Sequence, residues 1–339
     1  MDPLQAAKRT VQRYQADLAT APIEALPAVL ASHTTADYRW RGSYPFREFD
    51  TVTAAAEAFW QPLAGSFTRL QRREDIFIAG ENLYGDAGEI WVMSMGHFVG
   101  LFDVPFLGIQ PTGRLAHLRY AEFSRIDADR IAETGLFVDL IGLMQLAGCN
   151  PVPPATGVHF VYPGPRDHDG LCLTPQSPTE SEKTLAVLDR MVEDLRALNE
   201  SGSMTCAPEV LERSWTEDMI WYGPAGIGAT YTIPRYQQQH QLPFRSQLAD
   251  KQFVGHVCRF AEGKFACFFG WPNLSNTPIG GWMGLPGGRV TAQMQVVDVY
   301  RREGDRLSEN WVIIDLPWWL EQQGLDVLAR NRELQFPHA

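Results

Sequence analysis

The chain states one pattern twice. Residues 126–140 read IDADRIAETGLFVDL and residues 302–316 read REGDRLSENWVIIDL. Asp129 aligns with Asp305, Arg130 with Arg306, Glu133 with Glu309, Asp139 with Asp315 and Leu140 with Leu316, all at one offset that Gly148 and Gly324 also keep. Upstream, PTGR (Pro111–Arg114) matches PGGR (Pro286–Arg289) with the offset changed by one residue, which predicts a β-bulge in one copy. Further upstream RWRG (Arg39–Gly42) meets IWYG (Ile220–Gly223), with the drift that loops allow. A repeat of this length in 339 residues predicts two domains, each large enough to bury its own core.

Both copies open alike. Asp2 and Ser177 precede a proline and, two residues beyond it, Gln5 or Glu180, which reads as a capped helix start. Apolar residues then recur at helical spacing: Leu4, Ala7, Val11, Tyr14 and Leu18, and later Leu185, Leu188, Val192, Leu195 and Leu198. Two helices (about 3–19 and 23–31; about 178–199 and 207–216), a segment carrying Trp, a third helix, several strands, a hairpin and a short closing helix follow in each copy. Helices followed by strands is an α+β order. The expected division is a first domain over 1–149, a proline-rich linker over 150–176 packed along the surface by its apolar VHFVY, and a second domain over 177–335.

Composition narrows the function classes. Hydrophobic residues make up 45% and charged residues 20%, as in globular proteins with a real core. No run is apolar for long enough to span a bilayer as a helix. The net charge of −11 opposes nucleic-acid binding. Five cysteines without a CxxC give neither a disulfide framework nor a zinc site, and the eight histidines form no HxH or HExxH. Walker, dinucleotide and GxSxG signatures are missing. The chain is therefore expected to be a soluble cytoplasmic protein that binds a small molecule, with no cofactor, no metal, no nucleic acid and no membrane.

The order of these features, found twice, resembles the SnoaL-like polyketide cyclase family of the nuclear-transport-factor-2-like superfamily. The resemblance rests on the helical start, the WRG and WYG elements, the PTGR and PGGR turns, the DRI-AE and DRL-SE hairpins, and the closing VDL…LAG and IDL…QQG. It implies two cone-shaped curved antiparallel sheets, each wrapped by helices around an apolar pocket. It further implies an intramolecular pseudo-dimer, which leaves open pairing into a homodimer. The implied activity is cofactor-independent acid/base chemistry of isomerase, cyclase, lyase or hydratase type on a mid-sized, partly apolar molecule. A non-catalytic binding protein and a scaffold are the alternatives.

The family pattern also breaks. Its acid/base Asp falls at Leu136 and Val312, and its nearby His at Thr134 and Asn310. A pocket-facing His of the cyclases falls at Glu122 and Asp298. A carboxylate inside an apolar cone has its pKa raised and suits proton transfer; one paired with Arg114, Arg119 or Arg259 is structural. Strand alternation puts His97 on one face with Met93 and Met95, beside Glu122 if that face is the pocket, while Trp271 stands near its place in the second copy. The candidate catalytic residues are thus Glu122, His97 and Asp298. Candidate ligand contacts are the aromatics Trp40, Tyr120, Trp221, Tyr222 and Trp271, the helix residue His240 on a polar or solvated face, the strand residue Asn310, and Asn273 and Trp282 in a glycine-rich hairpin loop. Asp139 and Asp315 read as N-caps.

Overall fold

A computed structural model describes residues 2–335. The chain forms two compact units. Among the described residues the first comprises 2–151 with 166–175 and 325–335; the second comprises 152–165 with 176–324. This differs from a simple cut at a linker. The proline-rich segment divides between the units because its two parts hydrogen-bond to different units, and residues 325–335 join the first unit.

In the first unit the opening helix, Pro3–Thr20, is capped by Asp2, whose side chain accepts from Leu4 N at 2.9 Å. Its Ala7 and Val11 pack with Phe77, Ala79 and Val92 of the sheet. A second helix, Leu26–His33, leads into β1 (Thr34–Gly42) and β2 (Arg47–Phe49). Helix 52–66 follows, then β3 (Phe67–Glu81), β4 (Ile90–Phe102), β5 (Leu115–Asp127), β6 (Arg130–Val138) and a closing helix Leu140–Leu146. The six strands lie in the order β2-β1-β6-β5-β4-β3. The sheet is not wholly antiparallel as expected, since β1 runs parallel to β6. Residues 170–172 extend it: Phe77 N donates to Gly170 O and Cys172 N to Phe77 O, while the buried Lys8 ammonium donates to Cys172 O.

The second unit repeats this order with interruptions. Helix Pro178–Glu200 starts at Ser177 without a side-chain cap and buries Thr184, Val187, Leu188 and Met191. Next come helix Pro208–Glu212, β7 (Trp215–Tyr222), β8 (Thr230–Tyr231), helix 233–247, β9 (Leu248–Phe253), β10 (Cys258–Glu262), β11 (Phe265–Phe269), β12 (Leu274–Pro278), β13 (Ala292–Met294), β14 (Val296–Glu303), β15 (Arg306–Ile314) and helix Leu316–Gln322. One sheet has six strands, β10-β11-β14-β15-β7-β8, with β7 parallel to β15; a smaller one has β13-β12-β9. Stretches that are continuous as β3, β4 and β5 in the first unit break here after Phe253, after Phe269 and at Gln295. The breaks are neighbours, because Leu274 pairs with both Phe253 and Met294. The segment 271–284, expected as a hairpin loop, therefore contains a strand. Residues 157–158 pair with 227–229, and Trp311 Nε1 donates to Pro163 O at 3.0 Å.

Two local devices recur. Each third helix carries a π-helical stretch, Ala56–Trp60 or Gln237–Gln241, just before Pro62 or Pro243, where the missing proline N–H already opens the hydrogen-bond ladder. Each closing helix is capped as expected: Asp139 accepts from Gly142 N at 3.0 Å and Asp315 from Trp318 N at 3.2 Å.

Candidate functional site

The two cones hold different contents. In the first, Glu122 is buried and bound on both oxygens. Arg72 Nη1 lies 2.6 Å from Oε2, and the Tyr14 hydroxyl donates to Oε1 at 3.2 Å. The guanidinium sits among the rings of Trp60, Phe98 and Tyr120, with centroids 5.6, 4.9 and 4.8 Å away. Tyr120 stacks on Phe98 at 4.3 Å, and its hydroxyl meets Ser94 Oγ at 2.8 Å. Trp40 is fully buried against Phe59 and Trp60. Glu122 is thus an ion-pair member, with Arg72 rather than the arginines expected from sequence.

Glu122 and His97 are not brought together. On neighbouring antiparallel strands, directly opposed residues share a face. Glu122 opposes Ser94, whereas His97 opposes Arg119. His97 therefore lies on the other face of the sheet, its Nδ1 3.4 Å from Asp75 Oδ2 and its ring 5.9 Å from that of His117.

The second cone encloses a cavity of about 370 Å³, within the range of small-molecule sites. The cavity lies along the strand breaks: Phe253, His256, Phe268, Asn273, Leu274, Met294 and Val296 all flank them and line it. Asp298 lines the same cavity, two residues along β14 from Val296. Tyr300 Oη donates to its Oδ1 at 3.0 Å and Asn310 Nδ2 to the same oxygen at 3.2 Å. Oδ2 is the oxygen left to the cavity. Burial raises the Asp298 pKa to about 6, against the lowering effect of the Asn310 and Tyr300 hydrogen bonds. Among the described residues no cation pairs with Asp298 as Arg72 does with Glu122; the one arginine on the cavity wall, Arg196, pairs with Glu193 at 2.8 Å. Counted from the end of the third helix, Arg72 is the sixth residue of β3; the sixth residue of β9 is Phe253, which is 66% exposed and so marks the cavity's rim.

Two imidazoles complete the lining. His240 stacks on Trp221 at 3.9 Å and 21°, turned inward rather than out from a solvated helix face. The π-helical stretch places it there; three residues before the proline of the first copy stands Phe59. His256 stacks on Phe268 at 4.1 Å. Burial lowers the His240 pKa to about 3; burial, with Arg259 adding to it, lowers that of His256 to about 4. Both rings are neutral at pH 7.

The remaining candidates divide. Trp221, Asn273 and Asn310 line the cavity; Tyr222, Trp271 and Trp282 do not. Tyr222 is carried to the opposite face by strand alternation and stacks on Trp311 at 5.4 Å. Trp282 packs edge-on against Trp319 at 4.7 Å, and Asn276 accepts from Trp319 Nε1 at 3.0 Å, so both are core residues. Sequence reasoning missed Arg72, Tyr14, Trp215, His256 and Tyr300. The one available signal was for Tyr300, whose spacing from Asp298 puts it on the same strand face. Among the described residues no group of three or more His, Cys, Asp or Glu is placed to hold a metal ion. No helix of the described chain is long and apolar enough to cross a membrane.

No family model and no curated protein matches the chain. Solved structures do match. A putative SnoaL-like polyketide cyclase from Jannaschia sp. CCS1 is 19% identical, covering 45% of this chain and 97% of its own, with a TM-score of 0.34. An NTF2-like protein from Burkholderia xenovorans LB400 is 10% identical, covering 42% and 97%, with a TM-score of 0.33. TsrD from Streptomyces laurentii is 18% identical, covering 41% and 96%, with a TM-score of 0.33. Each likeness spans less than half of this chain. The α+β architecture itself stands on the sheets and helices described above.

Proposed function

We propose that the second unit is the working site, and that it moves protons on a mid-sized, partly apolar organic molecule with Asp298 as general acid/base. The observation that carries this reading is a carboxylate held by Tyr300 and Asn310 on the wall of an aromatic cavity, with no cation paired to it among the described residues; burial there raises its pKa to about 6. Such a group is mostly ionised at pH 7 and still accepts and returns a proton readily. Neutral His240 and His256 add no charge that would lower its pKa. The chemistry it fits is isomerisation, aldol-type cyclisation, elimination or hydration. The first unit, with Glu122 tied to Arg72, is proposed to have no such activity.

The test is deuterium incorporation next to the carbonyl of 1-tetralone in D2O, followed by NMR. The wild type is expected to catalyse exchange above background, with a rate that rises with pH around a midpoint near 6. Asp298→Asn is expected to lose about 10²–10⁴-fold of that rate. Glu122→Gln, if folded, is expected to retain it. A wild type that binds the ketone without exchanging it marks a binding protein and overturns the acid/base reading.

A further inference from the structure

Asn273 is locked in place and yet unfinished. Its backbone N donates to Met294 O at 3.0 Å and its carbonyl accepts from Val254 N at 2.7 Å. Its side-chain Oδ1 accepts from Val296 N at 2.7 Å. That bond fixes the orientation of the amide, since only the oxygen can face an N–H. The amide nitrogen must then point away from the strand, and there Nδ2 is buried without a hydrogen-bond partner. Asn273 is 2% exposed and lines the cavity. Gly270 keeps the room for it, because a Cβ there would stand 2.5 Å from Asn273 Cγ.

Two more polar atoms of the same cavity share this condition. Trp215 Nε1 and His240 Nδ1 are buried without partners, and both residues are cavity-lining. Buried donors left unmatched are uncommon in folded proteins. Two of these three, the Asn amide and the Trp indole, can only donate. A hydrocarbon ligand leaves them unmatched; an amine or ammonium meets them donor to donor. An acceptor oxygen satisfies them.

We propose that Asn273 receives an oxygen of the ligand, and that the ligand is accordingly a carbonyl compound whose oxygen sits on Asn273 while an adjacent carbon faces Asp298. The proposal rests on the acid/base reading of this cavity and adds the polarity of what it binds. Spacing supports it. Val296, which anchors the Asn273 amide, and Asp298 are two residues apart on one strand face, roughly 6.6 Å along the strand. One small molecule bridges that distance. In the step this allows, Asp298 Oδ2 takes a proton from the carbon beside the carbonyl. The C–H electron pair becomes the new C=C bond, and the carbonyl π electrons move onto oxygen, where the Asn273 N–H holds the charge. Return of the proton reverses or relocates the double bond, with nothing oxidised. The first unit has no break in β4, which runs unbroken from Ile90 to Phe102.

Binding of 1-tetralone and of tetralin, the same frame without the oxygen, tests this at about pH 8, where Asp298 is ionised and donates nothing. The wild type is expected to favour the ketone by about fivefold to tenfold, one neutral hydrogen bond. Asn273→Asp keeps the acceptor for Val296 N–H and the volume but removes the donors. It is expected to bind tetralin like the wild type and to lose the ketone preference. Asp298→Asn is expected to keep the preference while losing exchange. Should Asn273→Asp not fold, the carbonyl carbon of ¹³C-labelled 1-tetralone in the wild type gives the answer, by moving downfield on binding as hydrogen-bonded carbonyls do. Absence of a ketone preference in the wild type, an unshifted carbonyl, or a preference kept by Asn273→Asp overturns the proposal. A preference that holds while exchange is absent removes the acid/base reading and leaves the oxygen site standing. Exchange that needs Asp298 without any ketone preference removes the oxygen site alone.

Discussion

Glu122 and Asp298 occupy matching places in the repeat and are expected to respond in opposite ways to removal of their charge. Replacing Glu122 by Leu leaves the Arg72 guanidinium buried without its counter-charge, which costs about 3–5 kcal/mol. A large loss in the urea midpoint is the expected outcome, and an unchanged midpoint would show the pair to be dispensable. Asp298 has no counter-charge. Its folded pKa of about 6 lies above the ordinary 3.8, so the fold holds this proton more tightly than the unfolded chain does. Stability from this group is therefore full below pH 3.8 and is lost as pH rises through about 6. Asp298→Asn is expected to be more stable than the wild type at pH 8, by on the order of 3 kcal/mol, with the difference shrinking towards pH 4. Equal melting temperatures at both pH values would contradict the raised pKa. His240 and His256, held down to about 3 and about 4, act in the other direction. The unfolded chain protonates near 6.5 while the fold resists, so their contribution is lost as pH falls below 6.5, in wild type and variant alike. That both copies carry a carboxylate here was legible from the alignment. Which one is paired was not, because Arg72 reaches Glu122 through a β3–β4 register that shifts twice, between Thr68 and Gln71 and between Glu74 and Ile76.

At the scale of elements, the sequence shows the hairpins and caps and conceals the breaks. The turn residues at 127–130 and 303–306, and the Asp caps of the closing helices, depend on neighbours in sequence, so local chemistry specifies them. The expected bulge in one copy is not found there: the β5–β6 register shifts at Arg125–Ile126 and the β14–β15 register at Arg301–Arg302, equivalent places in both copies, so neither shift accounts for the one-residue change of offset. The interruptions at Phe253, Phe269 and Gln295 are set by pairing among distant strands, and KQFVGHVCRF reads as one continuous strand by composition. His256 and Asn273 lie in those interruptions, so composition does not single out the first and reads the second as part of a loop. The hairpin turns themselves invite a comparison. Both place a residue at left-handed φ, Ala128 at 53° and Gly304 at 60°. Gly304→Ala is expected to cost about 1 kcal/mol, since an L side chain is strained there. Ala128→Gly, relieving the same strain against a more flexible unfolded chain, is expected to gain less. Urea unfolding of the two variants checks both signs; a stabilised Gly304→Ala would contradict the turn geometry.

For the molecule as a whole, the duplication was legible because equal folds demand similar patterns, whereas the path of the connecting and terminal segments was not. Nothing local marks residues 325–335 as belonging to the first unit, because their partners lie in a loop more than two hundred residues earlier. In the structure Val327, Leu328 and Asn331 are buried, Gln335 Oε1 accepts from Gln110 N at 3.2 Å, and the Arg332 side chain packs beside Gly108. Gly108 has φ of 81°, so the loop there turns in a way that suits glycine and leaves the backbone open to that contact. The helix Val327–Gln335 thus closes over the 106–110 loop of the first unit. A chain ending at Gly324 loses the burial of two aliphatic side chains, worth about 1.5–3 kcal/mol each when fully buried. Truncation is expected to destabilise the first unit, with faster amide exchange over 103–115 and around Cys149. The strands β14 and β15, and with them Asp298, are expected to keep their protection and the cavity its ligand. Uniform loss of protection across both units would show that they unfold as one, and unchanged exchange over 103–115 would show that the terminal helix does not hold the loop.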